Sequence, residues 1–232
     1  MNGSSKGVGD YIQDFTVDWT PEPARAALVL VDLQVATGAR SGPLGRKLAD
    51  RPELQSARFD RIEQVVTPNV ARLLAAFRGA GRRVVHIANT PRLPDASDAP
   101  PHMRALFVST RNHLGSPSSA FLDVATPVAG EVVVHKCTVG AFASSTLDQV
   151  LRSLDVRQLY VAGVSTNMCV DTTAREAADR GYRVSLIGDA CGASRDDFHE
   201  MALVNFQRLF GRVVDTDRAI AEIAGDAAVA AG

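Results

Sequence analysis

The chain has 232 residues, 46% of them hydrophobic and 22% charged, and 25 Lys and Arg against 26 Asp and Glu leave a net charge of -1. A chain this long suits one generous α/β domain, burying about 70–75% of its unfolded surface without a disulfide or metal staple. The balanced charge excludes the broad basic field of a nucleic-acid-binding module, and the longest apolar run, Ala26 to Val31, is too short to cross a bilayer.

Residues 1–24 carry Gly, Ser and scattered aromatics and then Pro21 and Pro23, and read as an N-terminal arm, partly disordered or packed on a neighbouring subunit. The single domain is expected over residues 25–232. Met1 to Asp10 has no apolar core of a signal peptide, so the expected compartment is the cytoplasm. Cys137, Cys169 and Cys191 form no Cys-x-x-Cys pair, and an odd, sparse set fits a reducing compartment with room for one reactive thiol.

The first strand is the apolar run Ala26 to Val31, ending at Asp32; continuous runs of this kind mark strands covered on both faces. A helix is predicted over about 60–79, where Ile62, Val65, Val66, Val70, Leu73, Leu74 and Phe77 recur at helical spacing, and it leads into a second strand, 83–88. Val132 to Val134 makes the third strand, with a helix at about 145–154, and Leu159 to Ala162 the fourth, with a helix from about Asn167. A fifth strand at 183–187, a helix at about 195–209, a short sixth strand at Val213 and Val214 and a closing helix at 217–224 complete the chain. Strand alternating with helix six times predicts a doubly wound, six-stranded parallel sheet in a three-layer α/β/α sandwich, Rossmann-like in class. Residues 35–59 and 89–130 are rich in Pro, Gly, Ser and Asp and read as long loops, which tend to be functional.

Ligands of such sheets bind beyond the carboxyl ends of the strands. Asp32 follows the first strand, Lys136 the third, and Cys169 lies just past the fourth, so the topology gathers three chemically capable residues at one edge. Taken alone, Cys169 is a packed thiol, Asp32 a turn or cap residue and Lys136 a snorkelling surface lysine. Taken together, they read as a nucleophile in the first turn of a helix, a base for its proton, and a cation that keeps the base ionised and favours the thiolate.

The segments Leu30-Val31-Asp32-Leu33-Gln34, Val134-His135-Lys136 and Ala162-Gly163-Val164-Ser165-Thr166-Asn167-Met168-Cys169-Val170 closely resemble the three motifs of isochorismatase-like cysteine hydrolases. The run from Asp171 to Tyr182 and the segment Gly188-Asp189-Ala190-Cys191 also look like that family, and the likeness spans roughly residues 25–215. The resemblance implies a catalytic Asp32, Lys136 and Cys169, a non-proline cis peptide at Val164–Ser165, and an oxyanion hole formed by the backbone N–H groups of Ser165 and Cys169. It further implies attack of the thiolate on a carbonyl, a thioester intermediate and release of ammonia or amine.

Nicotinamidases of this family carry an Asp-x-His and His metal cluster after the second strand; here the region reads His86-Ile87-Ala88-Asn89-Thr90-Pro91, and His102 and His113 stand apart. No metal and no cofactor is therefore expected. Some isochorismatases cleave a vinyl ether without the cysteine, so the retained Cys169 points to C–N hydrolysis of a small amide, ureido or carbamoyl compound, as in the N-carbamoylsarcosine, ureidoacrylate and biuret hydrolases. The alternatives are a vinyl-ether hydrolase, a nicotinamidase, or a non-catalytic binding protein of the same fold. Candidate substrate contacts are Gln34 and Asn89 at strand ends, Arg111 as a carboxylate fork, and Phe142 as a pocket wall, each with an ordinary structural reading beside it. The arm and the family's habit of assembling suggest a homo-oligomer, a dimer or tetramer.

Overall fold

The computed structural model describes Tyr11, Ile12 and residues 19–225. Six strands, β1 (Ala26–Val31), β2 (Arg83–Asn89), β3 (Val132–Lys136), β4 (Gln158–Val164), β5 (Arg183–Gly192) and β6 (Arg212–Val214), form one sheet in the order β3-β2-β1-β4-β5-β6. Every pairing is parallel, with Val31 beside Ile87 on one side and beside Gly163 on the other. The chain starts in the middle of the sheet and winds outward in both directions, so the strand order reverses between β1 and β4. That reversal opens a crevice at the carboxyl ends, where this class of fold binds its ligands.

The apolar run of β1 is explained by its central place. Ala27, Val29 and Val31 face a cluster that includes Leu147, Leu151, Ala174 and Phe206, from α6 (Leu147–Ser153), α7 (Asp171–Asp179) and α8 (Asp196–Gln207). Ala26, Leu28 and Leu30 face the opposite cluster, built on Ile62, Leu73, Phe77 and Ile223. Those residues belong to a π-helical turn (Ile62–Val66), α4 (Thr67–Gly79) and α9 (Thr216–Ala224). A strand buried on both faces cannot alternate apolar with polar, so the run stays continuous.

The two stretches expected to be loops are partly helical. The first holds α1 (Val35–Gly38), α2 (Pro43–Lys47) and most of α3 (Pro52–Arg61), and α3 runs through the π-helical turn into α4 as one long helix. The predicted start near residue 60 was late because α3 is polar overall, with only Arg58 and Phe59 buried, so its apolar rhythm is faint. The second stretch holds α5 (Pro101–Thr110), which begins on a proline whose missing N–H no helix start needs. Of the expected arm, residues 1–10 and 13–18 lie outside the described residues. Its last residues pack on their own sheet: the Arg212 guanidinium sits 5.1 Å over the Trp19 ring, and Glu22 N–H donates to Gln158 Oε1 at 2.9 Å. Among the described residues no helix is long and apolar enough to cross a membrane.

Candidate active site

Four adjacent strand ends build the site, in the spatial order Lys136, Asn89, Asp32 and the turn that carries Cys169. Asp32 leaves β1 with φ at 54°, in the left-handed region that aspartate tolerates better than most residues, and its N–H donates to Ile87 O at 3.0 Å. Beside it, Gly163 has φ at 130°, and a Cβ there would stand 2.1 Å from Val31 O. Only glycine lets β4 approach β1 so closely, and that approach brings the Cys169 turn against the Asp32 strand end. Val164–Ser165 is a cis peptide, and Thr166–Val170 forms a single π-helical turn before α7.

Lys136 is 1% exposed, and its ammonium spends all three donors inside the protein. Nζ donates to Thr138 O at 2.9 Å and Val139 O at 3.0 Å and stands 2.9 Å from Asp32 Oδ2. Asp32 and Cys169 are buried beside it, so that carboxylate, ammonium and thiol act on one another's ionisation. Burial pushes the Asp32 carboxyl above the ordinary carboxylate range, against the pull of Lys136. For Lys136 burial works downward, but the Asp32 charge beside it prevails and holds it above its ordinary value. Burial and then the Asp32 charge push the Cys169 thiol up to about 12. The sequence reading expected the helix start and Lys136 to favour a thiolate; in the folded protein burial and the adjacent carboxylate outweigh them, and the resting thiol is protonated. Cys191 is buried within β5, also raised to about 12 by burial, and Cys137 lies half-buried with its Sγ toward Asp98 O, so neither shares this cluster.

The cluster opens on a cavity of about 210 Å³. Asp32, Cys169, Val164 and Ser165 form its floor, Met103, Leu106 and Phe107 of α5 an apolar roof, and Arg58, Asn89 and Asn112 its polar walls. Gln34 lines the cavity too, but both ends of its amide serve the protein: Nε2 donates to Ser119 O at 2.8 Å and Oε1 accepts the Asn89 N–H at 2.8 Å. Asn89 is held by that bond and by Asn112 Nδ2, which donates to Asn89 O at 2.8 Å, while the Oδ1 atoms of both asparagines are buried without a partner. Arg111 is displaced from its expected role: it caps α5 in the left-handed conformation at φ 50° and is exposed outside the cavity lining. Phe142 likewise does not reach the cavity; it packs against Tyr182, with Arg180 over its ring at 4.8 Å. Among the described residues no group of three or more His, Cys, Asp or Glu is arranged to hold a metal ion.

The family model described as the Isochorismatase domain matches residues 26–218, which takes in every strand and the whole cluster. The chain belongs to the isochorismatase family. Among its relatives within the family, a maleamate amidohydrolase from Pseudomonas putida is 31% identical over 66% of this chain and 72% of its own length. The ureidoacrylate amidohydrolase RutB of Methylorubrum extorquens is 30% identical, over 92% of this chain and 90% of its own. The crystal structure of a cysteine hydrolase from Pseudomonas syringae pv. phaseolicola superimposes with a TM-score of 0.78 at 27% identity, covering 90% of this chain and 97% of that one.

Two walls of this isochorismatase-family cavity escaped the sequence reading because they lie in the stretches taken as loops. Arg58 projects from α3, with Nε donating to Thr37 O at 3.0 Å and Nη1 to Ser165 Oγ at 2.9 Å. A signal was present: Arg58, Ile62 and Val66 stand four apart, which places an arginine on the inward stripe of the long helix. Asn112 follows the α5 cap and carried no such signal. A further brace ties the nucleophile turn from below. His199 Nδ1 bonds Thr166 Oγ1 at 2.8 Å and its Nε2 faces Arg61 Nη2 at 2.7 Å; Arg61 has only protons to give, so the ring is neutral with its proton on Nδ1.

Proposed function

We propose that the protein is a cysteine amidohydrolase in which Asp32, Lys136 and Cys169 act as the catalytic triad on a small amide, ureido or carbamoyl compound. The observation that carries this reading is the Lys136 Nζ to Asp32 Oδ2 ion pair of 2.9 Å, buried against a thiol that lines a cavity. The relatives named as maleamate and ureidoacrylate amidohydrolases, and the neighbour named as a cysteine hydrolase, support it.

The mechanism follows from the protonation states. A thiol raised to about 12 is no standing thiolate, so the nucleophile is generated as it attacks. Asp32, made more basic by burial, takes the proton, and Lys136 stays charged and steadies the carboxylate through the cycle. Sγ attacks the carbonyl carbon, and the backbone N–H groups of Ser165 and Cys169 hold the oxyanion. Asp32 returns the proton to the departing nitrogen, ammonia or amine leaves, and a thioester remains. Water, with Asp32 as base, hydrolyses the thioester and restores the thiol.

The test is ammonia release from a panel of small amides and ureido acids, set against the Cys169→Ala protein, with mass spectrometry of the enzyme quenched during turnover. An acyl adduct on Cys169 is the expected result; label confined to Cys137 or Cys191, or equal ammonia release by the Cys169→Ala protein, would refute the assignment. Self-assembly belongs to the same reading: Phe198, Met201 and Val204 expose an apolar stripe along α8, and a homo-oligomer is the expected species by light scattering after size exclusion.

A further inference from the structure

The cavity holds a charge that the proposed chemistry does not use. Arg58 is 7% exposed, and its guanidinium remains a cation at neutral pH although burial lowers it to about 10. Two of its five N–H donors go to Thr37 O and Ser165 Oγ, which fix the fork in place. The remaining three have no protein acceptor among the described residues, and Arg58 makes no ion pair with a carboxylate there. Asp32 and Lys136 neutralise each other, so the cavity carries one uncompensated positive charge. A buried lone guanidinium is costly, and evolution keeps such groups where a ligand completes them.

We infer that Arg58 is the specificity-determining residue that binds a carboxylate of the substrate, so the substrate is an amide or ureide that is also a carboxylic acid. The inference rests on the hydrolase reading above and names the substrate class for that same site. Three observations converge on it. Arg58 belongs to the cavity lining and keeps free donors, so a carboxylate there can be met by a planar fork. The buried, unpartnered Oδ1 atoms of Asn89 and Asn112 are acceptors in the same lining, suited to the N–H groups of an amide or ureido head. Arg58 also hydrogen-bonds Ser165, whose N–H is proposed to face the scissile carbonyl, so the carboxylate and the reacting carbonyl can be only a short chain apart. A cavity of about 210 Å³ lies below the roughly 300–1,000 Å³ of drug-sized ligand pockets and suits a monoamide of a short dicarboxylic acid or a small ureido acid.

The experiment compares succinamate with butyramide, which differ only in a carboxylate replaced by methyl. Calorimetry on the Cys169→Ala protein should show succinamate binding at least about tenfold more tightly. Arg58→Gln in that background should abolish the preference while leaving butyramide affinity within about threefold, and Arg58→Lys should retain part of it. A merely structural arginine would weaken both ligands together, and that outcome overturns the inference. So does equal affinity for the two ligands, absence of succinamate binding, or a preference that survives Arg58→Gln; the first two need no Arg58 variant to fold. Ammonia release by the unsubstituted enzyme separates the two readings. A binding preference without turnover of either compound removes the hydrolase reading and keeps the anion site, whereas turnover without preference does the reverse.

Discussion

The floor and the side wall of the cavity obey opposite rules. On the floor the charges are met from within: Lys136 spends its donors on Thr138 O, Val139 O and Asp32, and the Asp32 carboxylate faces that ammonium. On the wall the bonds are left open: Arg58 keeps free donors, and Asn89 and Asn112 keep bare acceptors. Machinery that must be ready before the substrate arrives is preorganised by its own partners, whereas recognition is built from groups that wait for them. The floor is fixed by strand ends, whereas Arg58 and Asn112 of the wall come from α3 and the segment after α5, outside the sheet.

The largest test of the contrast removes the proposed nucleophile from the floor. Cys169→Ala should lower kcat by about a thousandfold or more while the melting temperature stays within a few degrees, because a small thiol side chain is lost from a wall that already faces a cavity. Lys136→Met should instead destabilise the fold by about 3–5 kcal/mol, since Asp32 is left buried without its cation. Adding Asp32→Asn to it should recover part of that stability in a denaturant titration, and a further loss would mean the pair is not the self-contained unit described. Gly163→Ala tests how the two strand ends meet: a Cβ 2.1 Å from Val31 O forces β4 and β1 apart, for a cost of about 1–3 kcal/mol and a fall in kcat with it.

Two gentler tests follow. His199 is held down to about 4 by burial and then by the Arg61 charge, against an ordinary value near 6.5. Above pH 6.5 the ring is neutral in folded and unfolded chains alike and contributes no slope. Below it the unfolded chain takes the proton first, so stability falls as pH drops from about 6.5 towards 4. His199→Gln should flatten that part of a melting-temperature profile, and an unchanged profile would deny the neutral brace under the Cys169 turn. The smallest effect is expected outside the cavity: Arg111→Ala should leave kcat/KM within about twofold, as for a surface charge. A large loss would return Arg111 to the wall and weaken the case for Arg58.

Much of the floor was legible from the chain alone. Continuous apolar runs at 26–31 and 159–162 mark strands covered on both faces, Asp32 closes the first of them, and Lys136 ends the strand begun by Val132 to Val134. Gly163 and the residues up to Cys169 mark a strand-to-helix turn in plain sequence. The wall was not legible, because α3 buries only Arg58 and Phe59 and shows almost no apolar rhythm, and α5 is short and opens on prolines. Arg111 drew attention as a loop arginine and proved to be a helix cap, while Arg58, unremarkable beside it in composition, faces the site.

The sequence by itself determined the six strands, their parallel winding and the gathering of Asp32, Lys136 and Cys169 at one sheet edge, because these depend on local periodicity and on the right-handed winding of strand-helix-strand units. Only the tertiary structure decided that the thiol rests protonated, that Gln34 is spent on Ser119 and Asn89, and that Arg58 stands in the cavity without a counter-ion. Those properties are sums over segments far apart in the chain, as in the bond from Arg58 to Ser165. Desolvation and unpaired charge come into being when such segments close around a common space, and no window along the chain contains them.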